Sequence, residues 1–504
     1  MLRIETLKRA ETIASRNTRL AQTFFSHCDF WRERHFAIRC EMIFTKRLSL
    51  FLALFCALLG FATSAIAAQR PNIIIVMADD MGYGDLSCYG HPTIRTPNLD
   101  RMAAEGLHFT DFYAGANLCT PSRAALLTGR HPIRSGMAGG PKRHVLYPNA
   151  TNGLPHSEIT IAEVLKSAGY ATACIGKWHL GDKPEFLPNN HGFDYFFGLP
   201  YSNDMNPVSP RVRRAESLSL TPDSKKFDVP LMRNQEILER PVDQTTLTRR
   251  YTEEAIRFIE ENQSRPFFIY LPHTFPHVPL FASKDFRGKS ARGLYGDTVE
   301  ELDWSTGEVL AALRRLNLAE KTLVIFTSDN GPWLNMKWNS GSAGLLRDGK
   351  AGTWEGGHRV PAIAWWPGTI KPGRVTSEIV SALDLLPTCA QLAGATLDKD
   401  RPLDGADQTP LLLGTGPSSR EVVHYYYGDQ LYAVRKGAFK AEFVTHDGYS
   451  PEPPVKHDPP LLFHLPSDPS EKYDVATNHP VVLAELQREA DRHRREIIPG
   501  PPQF

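Results

Sequence analysis

The sequence predicts an α/β fold in which a mostly parallel sheet lies between helices, with a smaller antiparallel sheet and a helix near the C-terminus. Apolar runs such as residues 72–77 and 322–327 have the pattern of strands that are buried on both faces. They alternate with stretches of helical spacing, which is typical of a parallel sheet covered by helices. After about residue 415 the pattern changes to short strands, beginning with a hairpin over residues 431–444.

The elements can be assigned in chain order. Apolar runs predict strands over residues 72–77, 171–176, 266–271, 322–327 and 360–366. Helical spacing predicts helices over residues 98–105, 161–168, 245–261, 298–316 and 381–392. Asn98 is the predicted N-cap and Gly106 the predicted stop of the first helix, and Thr160 with Glu163 has the pattern of a capping box. The polar stretch 202–244 predicts a long functional loop, and residues 461–465 and 481–497 predict a last strand and an amphipathic helix.

Composition and N-terminal patterning indicate the class of protein and its location. The 504 residues carry 57 Lys and Arg against 56 Asp and Glu, so no charge imbalance indicates a nucleic-acid partner. We expect a signal peptide over residues 42–68, a catalytic domain over 69–415 and a C-terminal α+β subdomain over 416–504. Residues 1–41 are either a dispensable leader or an over-extended reading frame.

The signal peptide is predicted from a basic start, an apolar centre and small residues at the end of 42–68. A retained membrane anchor is the alternative. The cysteines that follow, Cys88, Cys119, Cys174 and Cys389, are too few and too scattered for a disulfide framework. We therefore expect an exported protein that is periplasmic, at a cell surface or extracellular, or lysosomal in a eukaryote.

Two predicted strands end in oxygen ligands. Asp79 and Asp80 follow the run 72–77, and Asp329 and Asn330 follow the run 322–327. Ligands of open α/β sheets gather at the carboxyl ends of strands, so the two pairs are expected to meet at one edge. Three carboxylates and an amide suit Ca²⁺ or Mg²⁺ and not zinc. Taken singly, Asp79 with Asp80 is more typical of a solvated loop or a helix cap, and Asp329 with Asn330 is more typical of a turn.

A cysteine precedes a predicted helix that is uncharged apart from one arginine. The run Cys-Thr-Pro-Ser-Arg-Ala-Ala-Leu-Leu-Thr begins at Cys119, with Thr120 as a possible cap, Pro121 at the first helical position and Gly129 as the stop. The free N–H groups of a helix N-terminus favour a reaction with an anion. Without further evidence, a buried and inert core cysteine is the alternative.

This run resembles, position for position, the signature of type I, formylglycine-dependent sulfatases, especially the branch of arylsulfatase A and N-acetylgalactosamine-6-sulfatase. The resemblance covers residues 71–500. It implies an alkaline-phosphatase-like fold and oxidation of Cys119 to formylglycine by a maturation enzyme. It also implies one calcium ion, magnesium being the second choice, held by Asp79, Asp80, Asp329, Asn330 and an oxygen of the modified Cys119.

The resemblance also assigns residues that contact the ester. Lys177 and His179 lie in a Gly-Lys-Trp-His motif, and His277, preferred here over His273, lies in a Pro-His-x-Pro motif. The family's pattern further implies that Arg123 holds the modified residue and that Lys350 binds sulfate with Lys177 and His277. Ser202 matches a serine that contacts the sulfate in arylsulfatase A.

The resemblance implies that the protein is a sulfatase. Its formylglycine gem-diol would attack a sulfate ester, and the products would be an alcohol and inorganic sulfate. His277 and Lys350 would help to protonate the departing alcohol, and His179 would help to deprotonate the second hydroxyl. Two alternatives stay open: a phosphonate or phosphate monoester hydrolase on the same fold, and an inactive carbohydrate-binding homologue. A sulfated carbohydrate is the favoured substrate and a sulfolipid the next; the sequence specifies neither exo- or endo-action nor the oligomeric state.

Overall fold

A computed structural model of the chain describes residues 70–140 and 144–504. The predicted leader and signal peptide, and the possible anchor, lie outside these residues. Within the described ranges, no helix is both long enough and apolar enough to cross a membrane.

The main sheet confirms the predicted fold class. Its strands lie in the order β10-β2-β9-β8-β1-β7-β3-β4-β5-β6, and β11 pairs with β2. The central strands β8, β1, β7, β3 and β4 are parallel to one another, whereas β9 pairs antiparallel with β8, and β5 pairs antiparallel with β4 and with β6. The strands are β1 (Asn72–Ala78), β2 (Leu107–Tyr113), β3 (Ala171–Lys177), β4 (Tyr195–Leu199), β5 (Leu231–Arg233), β6 (Glu236–Glu239), β7 (Phe267–Pro272), β8 (Thr322–Ser328), β9 (Arg359–Trp365), β10 (Arg374–Thr376) and β11 (Val380–Ser381).

Burial explains why the central strands could be recognised in the sequence. Every residue of β1, β3, β7 and β8 is buried, because helices cover both faces of the sheet. The two faces contribute to two separate hydrophobic clusters: Ile74 and Val76 of β1 lie in one, and Ile73 and Ile75 lie in the other.

The helices also follow the predicted order, with some different ends. They are α1 (Pro97–Glu105), α2 (Cys119–Thr128), α3 (Pro132–Ser135), α4 (Ile161–Ser167), α5 (Pro210–Ser217), α6 (Leu247–Glu261), α7 (Leu294–Arg315), α8 (Glu355–His358), α9 (Leu385–Ala393), α10 (Thr409–Leu413) and α11 (Pro480–Glu496). The capping box of α4 is present: the Thr160 hydroxyl accepts from the Glu163 N–H, and the Glu163 carboxylate accepts from the Thr160 N–H.

Two sequence-based expectations are wrong in detail. The N-cap of α1 is Thr96 and not Asn98, whose side chain instead donates to Asp303 of α7 at 2.8 Å. The stretch 202–244 is not an irregular loop throughout, because it contains α5 and the hairpin strands β5 and β6.

A four-stranded antiparallel sheet follows the main sheet in the sequence, as predicted. It is built from β12 (Val422–Tyr427), β13 (Gln430–Lys436), β14 (Phe439–Thr445) and β15 (Val455–His464), in that order. The amphipathic helix α11 packs on it, and Leu486 and Ala490 share a cluster with Val434 and Ala441. The cysteines of the described residues, Cys88, Cys119, Cys174 and Cys389, are all free.

Candidate active site

The two pairs of oxygen ligands meet where β1 and β8 end, as predicted. The strands are parallel and in register up to Ala78 opposite Ser328, so Asp79 and Asp329 follow at the same level. The Asp329 N–H donates to the Ala78 carbonyl at 3.1 Å, and the Asp80 N–H donates to the Asp329 carboxylate at 3.1 Å. The backbone therefore holds the acidic side chains together, and all of them are buried.

Helix α2 brings Cys119 to this edge. Every residue of the helix is buried, and Gly129 ends it in the left-handed conformation, as predicted. Its start differs from the prediction: Cys119 is the first helical residue, and Thr120 lies inside the helix and is not its cap. The Thr120 hydroxyl instead donates to the His179 carbonyl at 3.0 Å and accepts from the Leu146 N–H at 3.2 Å.

Arg123, one turn along α2, joins the acidic groups. Its Nε and Nη2 donate to Oδ2 of Asp329 at 3.0 and 2.8 Å, and Nη2 lies 3.2 Å from Oδ2 of Asp79. Its Nη1 donates to the Lys177 carbonyl at 2.6 Å. The guanidinium is fully buried, and its rigid fork fixes the positions of two carboxylates and of the end of β3.

Two lysines complete the buried charge cluster. The Lys177 ammonium donates to Asp79 and, at 3.2 Å, to the Ser202 hydroxyl. The Lys350 ammonium lies 2.6 and 2.8 Å from the two oxygens of Asp80. Together with Arg123 these lysines supply three positive charges beside three acidic side chains.

The hydrogen bonds of His277 define which ring nitrogen is available for chemistry. Its Nδ1 lies 2.6 Å from the Val278 carbonyl and 3.1 Å from the Asn203 amide oxygen. Both partners are acceptors, so Nδ1 carries a proton, and Nε2, 3.7 Å from Asp80, is the atom that can take up or release one. His273, the alternative in the sequence, lies elsewhere and contacts Ser305.

The ring of His179 carries its proton on the other nitrogen, Nε2. Its Nε2 lies 2.9 Å from the Leu146 carbonyl and therefore donates to it, whereas Nδ1 is buried without a hydrogen-bond partner among the described residues. The backbone φ of His179 is 61°, which lies outside the extended range. The side chains of Lys177 and His179 are therefore not placed by the simple alternation of an extended strand.

Burial and charge shift the acidic groups in different directions. Burial favours the protonated acid, yet Lys177 and Arg123 outweigh it and hold the pKa of Asp79 below its ordinary value. Burial raises the pKa of Asp80, and burial together with Asp79 raises the pKa of Asp329 to about 7. Asp80 and Asp329 therefore favour the protonated form unless a further positive charge lies beside them.

The basic groups and the thiol follow the same physics. Burial lowers the pKa of both His179 and His277 well below the ordinary value, with Lys177 adding to the effect. Asp80 raises the pKa of Lys350 well above its ordinary value, despite the opposing effect of burial. Burial raises the pKa of the Cys119 thiol, which therefore stays protonated at neutral pH.

The residues at the strand ends fit a hard divalent cation. Ligand atoms of Asp79, Cys119 and Asp329 lie within 4.8 Å of one another, as do those of Asp79, Asp80 and His277. Oδ1 of Asp79 and Oδ1 of Asn330 are buried and have no hydrogen-bond partner in the described part of the chain. Oxygen atoms left unpaired in this way are suited to calcium or magnesium, whereas the Cys119 sulfur is a poor match until it is replaced by oxygen.

A cavity of about 210 Å³ leads to Cys119, and several of the predicted residues line it. Cys119, His179, Ser202, His277 and Lys350 line it. Eight further lining residues were not predicted as part of the site: His144, Val145, Tyr147, Asp204, Met205, Arg213, Trp333 and Tyr449. They come from separate segments without a common pattern, although Asp204, Met205 and Arg213 lie in the stretch 202–244 that was predicted as a functional loop.

Comparison with known proteins identifies the class. The Sulfatase family model matches residues 71–395, and the model of the C-terminal region of aryl-sulfatase matches residues 418–504. The chain is 45% identical to arylsulfatase A of Homo sapiens over 464 residues, which cover 86% of this chain and 89% of that protein. It is 41% identical to N-acetylgalactosamine-6-sulfatase of Canis lupus familiaris over 493 residues, which cover 90% and 91%.

A solved structure agrees with these relatives. The PsFucS1 sulfatase from Pseudoalteromonas sp. matches with a TM-score of 0.75 and 30% identity, covering 86% of this chain and 91% of that one. The protein is therefore an enzyme of the sulfuric ester hydrolase class. The chain belongs to the sulfatase family, with arylsulfatase A and N-acetylgalactosamine-6-sulfatase among its relatives, which confirms the resemblance found in the sequence.

Proposed function

We propose that the enzyme is exported and hydrolyses sulfate esters of carbohydrates, with a formylglycine made from Cys119 and one bound calcium ion. The observation that carries this proposal is the position of Cys119: it begins a buried helix at the cavity, ligand atoms of Asp79 and Asp329 lie within 4.8 Å of its sulfur, and Lys350 lines the same cavity. Asp79, Asp80, Asp329 and Asn330 would hold the cation. When present, the cation polarises the ester and the formylglycine supplies an oxygen nucleophile.

The residues of the chain then have distinct tasks. Lys350 and Lys177 bind the sulfate oxygens, and Ser202, which accepts from Lys177, lies beside them. The Lys350 ammonium, which keeps its proton, supplies the proton for the departing alcohol, and Nε2 of His277, which is unprotonated in the neutral ring, can take up that proton and pass it on. Nδ1 of His179 accepts a proton when sulfate is expelled. Arg123 is a positioning residue, because it fixes Asp79 and Asp329 without lining the cavity.

The proposed cation also balances charge. When all three are ionised, Asp79, Asp80 and Asp329 match the charges of Arg123, Lys177 and Lys350. A divalent ion would displace the protons that Asp80 and Asp329 favour, so that all three carboxylates are ionised while the cluster still has a positive charge to attract an anion.

The test is peptide mass spectrometry of active enzyme together with metal analysis. We expect an aldehyde in place of the Cys119 thiol, and about one calcium per chain. Cys119→Ala should abolish hydrolysis of an aryl sulfate, whereas Cys88→Ser, at a half-buried cysteine away from the site, should retain it. Full activity of enzyme that contains only unmodified Cys119 would refute the formylglycine, and a preference for aryl phosphate would favour the phosphatase alternative.

A further inference from the structure

Some lining residues of the cavity have no task in handling sulfate. Besides Lys350 and His277, an ion pair, Asp204 with Arg213, and the aromatic side chains of Tyr147, Trp333 and Tyr449 line it. When the sulfate of an ester faces Cys119, these residues are left to contact its alcohol part. The chemistry of these side chains therefore indicates which kind of alcohol the cavity binds.

The ion pair holds a guanidinium in a fixed position at the cavity. Nε and Nη2 of Arg213 contact Oδ2 of Asp204 at 2.7 and 2.5 Å, so the ion pair does not use Nη1. Arg213 lies on α5, its side chain is one-third exposed, and its guanidinium lies 5.7 Å from the centre of the Tyr147 ring. The carboxylate keeps the guanidinium oriented, so a ligand need not immobilise a flexible side chain.

Asp204 adds an acceptor that has no partner. Its side chain is 1% exposed, yet its Oδ1 makes no hydrogen bond to the described residues. Burial opposes ionisation, but Arg213 and His277 hold the pKa of Asp204 below its ordinary value. A buried and ionised oxygen without a partner is costly unless a ligand donates to it.

An aromatic wall stands beside the sulfate-binding lysine. The rings of Trp333 and Tyr449 are stacked, with centroids 5.2 Å apart and planes 28° apart, and the Lys350 ammonium lies 4.7 Å from the centre of the Trp333 ring. The Trp333 Nε1 is buried without a hydrogen-bond partner in the described chain. Tyr449 follows β14 and has a φ of 56°, so the C-terminal region holds a ring at the cavity in a conformation that non-glycine residues rarely adopt.

We infer that Arg213 and Asp204 are specificity residues that bind a free hydroxyl next to the sulfate on a sugar ring, while Trp333 and Tyr449 pack against that ring. This inference rests on the proposed function, since it assumes that the sulfate is bound beside Cys119. A hydroxyl both accepts and donates, so it satisfies Nη1 of Arg213 and Oδ1 of Asp204 at once. An apolar alcohol forms no hydrogen bond with either Arg213 or Asp204, and it displaces water from both charged groups, which is unfavourable.

The same chemistry is offered by a soluble sulfated sugar and by the sugar headgroup of a sulfated glycolipid. Both present a hydroxylated ring to the cavity, and the difference lies in what is attached beyond it. The test therefore uses both sources as separate arms, and an Arg213 substitution that lowers activity on the sugar substrate of either arm more than on the aryl sulfate supports the inference.

The experiment compares substrates with and without the hydroxyl. We would measure kcat/KM for an aryl sulfate, a panel of methyl pyranoside monosulfates, and the analogue of the best pyranoside in which the hydroxyl beside the sulfate is replaced by hydrogen. A sulfated glycolipid in phosphatidylcholine vesicles forms the second arm. The variants are Arg213→Gln, Arg213→Lys and Asp204→Asn, and Arg214→Gln, at an exposed arginine of the same helix, is the matched control.

We expect Arg213→Gln to lower kcat/KM for the hydroxylated pyranoside by about 10- to 100-fold more than for its deoxy analogue. Arg213→Lys should recover part of this loss, and inhibition by the free methyl pyranoside should weaken in parallel. Arg214→Gln should change none of these ratios. Thermal melting of each variant checks that it is folded.

Two results overturn the inference, and they can be told apart. Equal losses on the aryl sulfate, the pyranoside and the deoxy analogue would mean that the ion pair only anchors α5, while the proposed function stands. Absence of sulfate ester hydrolysis by the native enzyme on every substrate would remove the proposed function and the inference with it.

Discussion

A buried cluster with more carboxylates than cations makes stability depend on pH. Lys440 of β14 lies 3.0 Å from Glu442, 2.7 Å from Glu471 and 3.6 Å from Glu355, and all four side chains are fully buried. Glu355 is also approached by Arg435 and Arg359 and accepts from two tyrosines, so it stays ionised with a pKa of about 2. Glu442 shares only Lys440, and burial raises its pKa to about 8.

The direction follows from proton linkage. The ordinary pKa of the Glu442 carboxyl is 4.5, so the unfolded chain releases this proton at a lower pH than the folded chain. Stability from this group is fully present below about pH 4.5 and is lost as the pH rises toward about 8. Between about pH 5 and pH 7.5 the loss is about 3 kcal/mol, at roughly 1.4 kcal/mol per pH unit.

The perturbation is Glu442→Gln, which keeps the side-chain shape and removes the ionisation. We expect the wild-type free energy of unfolding, from denaturant titration with constant excess calcium, to fall from pH 5 to pH 7.5 and the variant to fall by about 3 kcal/mol less. Glu485→Gln, at an exposed glutamate paired with Lys436, is the control and should follow the wild type. A wild type and a Glu442→Gln variant with equal pH dependence would refute this reasoning.

Three further changes test the geometry of the site and its support. Asp329→Asn should lower calcium-induced thermal stabilisation and aryl sulfatase activity together, whereas Asp285→Asn at the surface should lower neither; a fully active Asp329→Asn would contradict the proposed ligand set. Gly331→Ala would place a Cβ 1.7 Å from the Gly356 carbonyl oxygen and should destabilise by about 3 kcal/mol, whereas Gly140→Ala, where the described residues put no atom within 4 Å of the added Cβ, should be neutral in thermal melting. Thr160→Ala removes the capping box of α4 and should cost about 1 kcal/mol by denaturant titration, and no change would show that the box is dispensable.

The fold was predictable because its central strands are buried on both faces. The run 322–327 contains no charged residue, and the structure has β8 over Thr322–Ser328. A helix cap was predictable only where no distant residue binds the capping side chain instead of the helix end. Thr160 caps α4 as expected, whereas Asn98 and Thr120 are occupied by partners distant in sequence, Asp303 and His179, which no local pattern reveals.

The acidic half of the site followed from topology. Since β1 and β8 are parallel neighbours, residues just beyond their ends had to meet, and Asp79 and Asp329 do so. The family resemblance added Arg123 and Lys350, which the chain brings from α2 and from a loop before α8. Their contacts with the carboxylates depend on loop conformation, which sequence periodicity does not encode.

The cavity residues that are left to contact the alcohol could not be predicted, for a physical reason. Arg213 lies on a short helix in a polar stretch, and Tyr449 lies in a loop after β14. Each residue is ordinary in its own segment: an arginine on a solvated helix and a tyrosine in a loop. Only tertiary packing places both at the cavity that contains Cys119. Under the proposed function, the buried strand ends of the sheet hold the groups that handle sulfate, and residues from loops and a short helix outside the sheet select the alcohol.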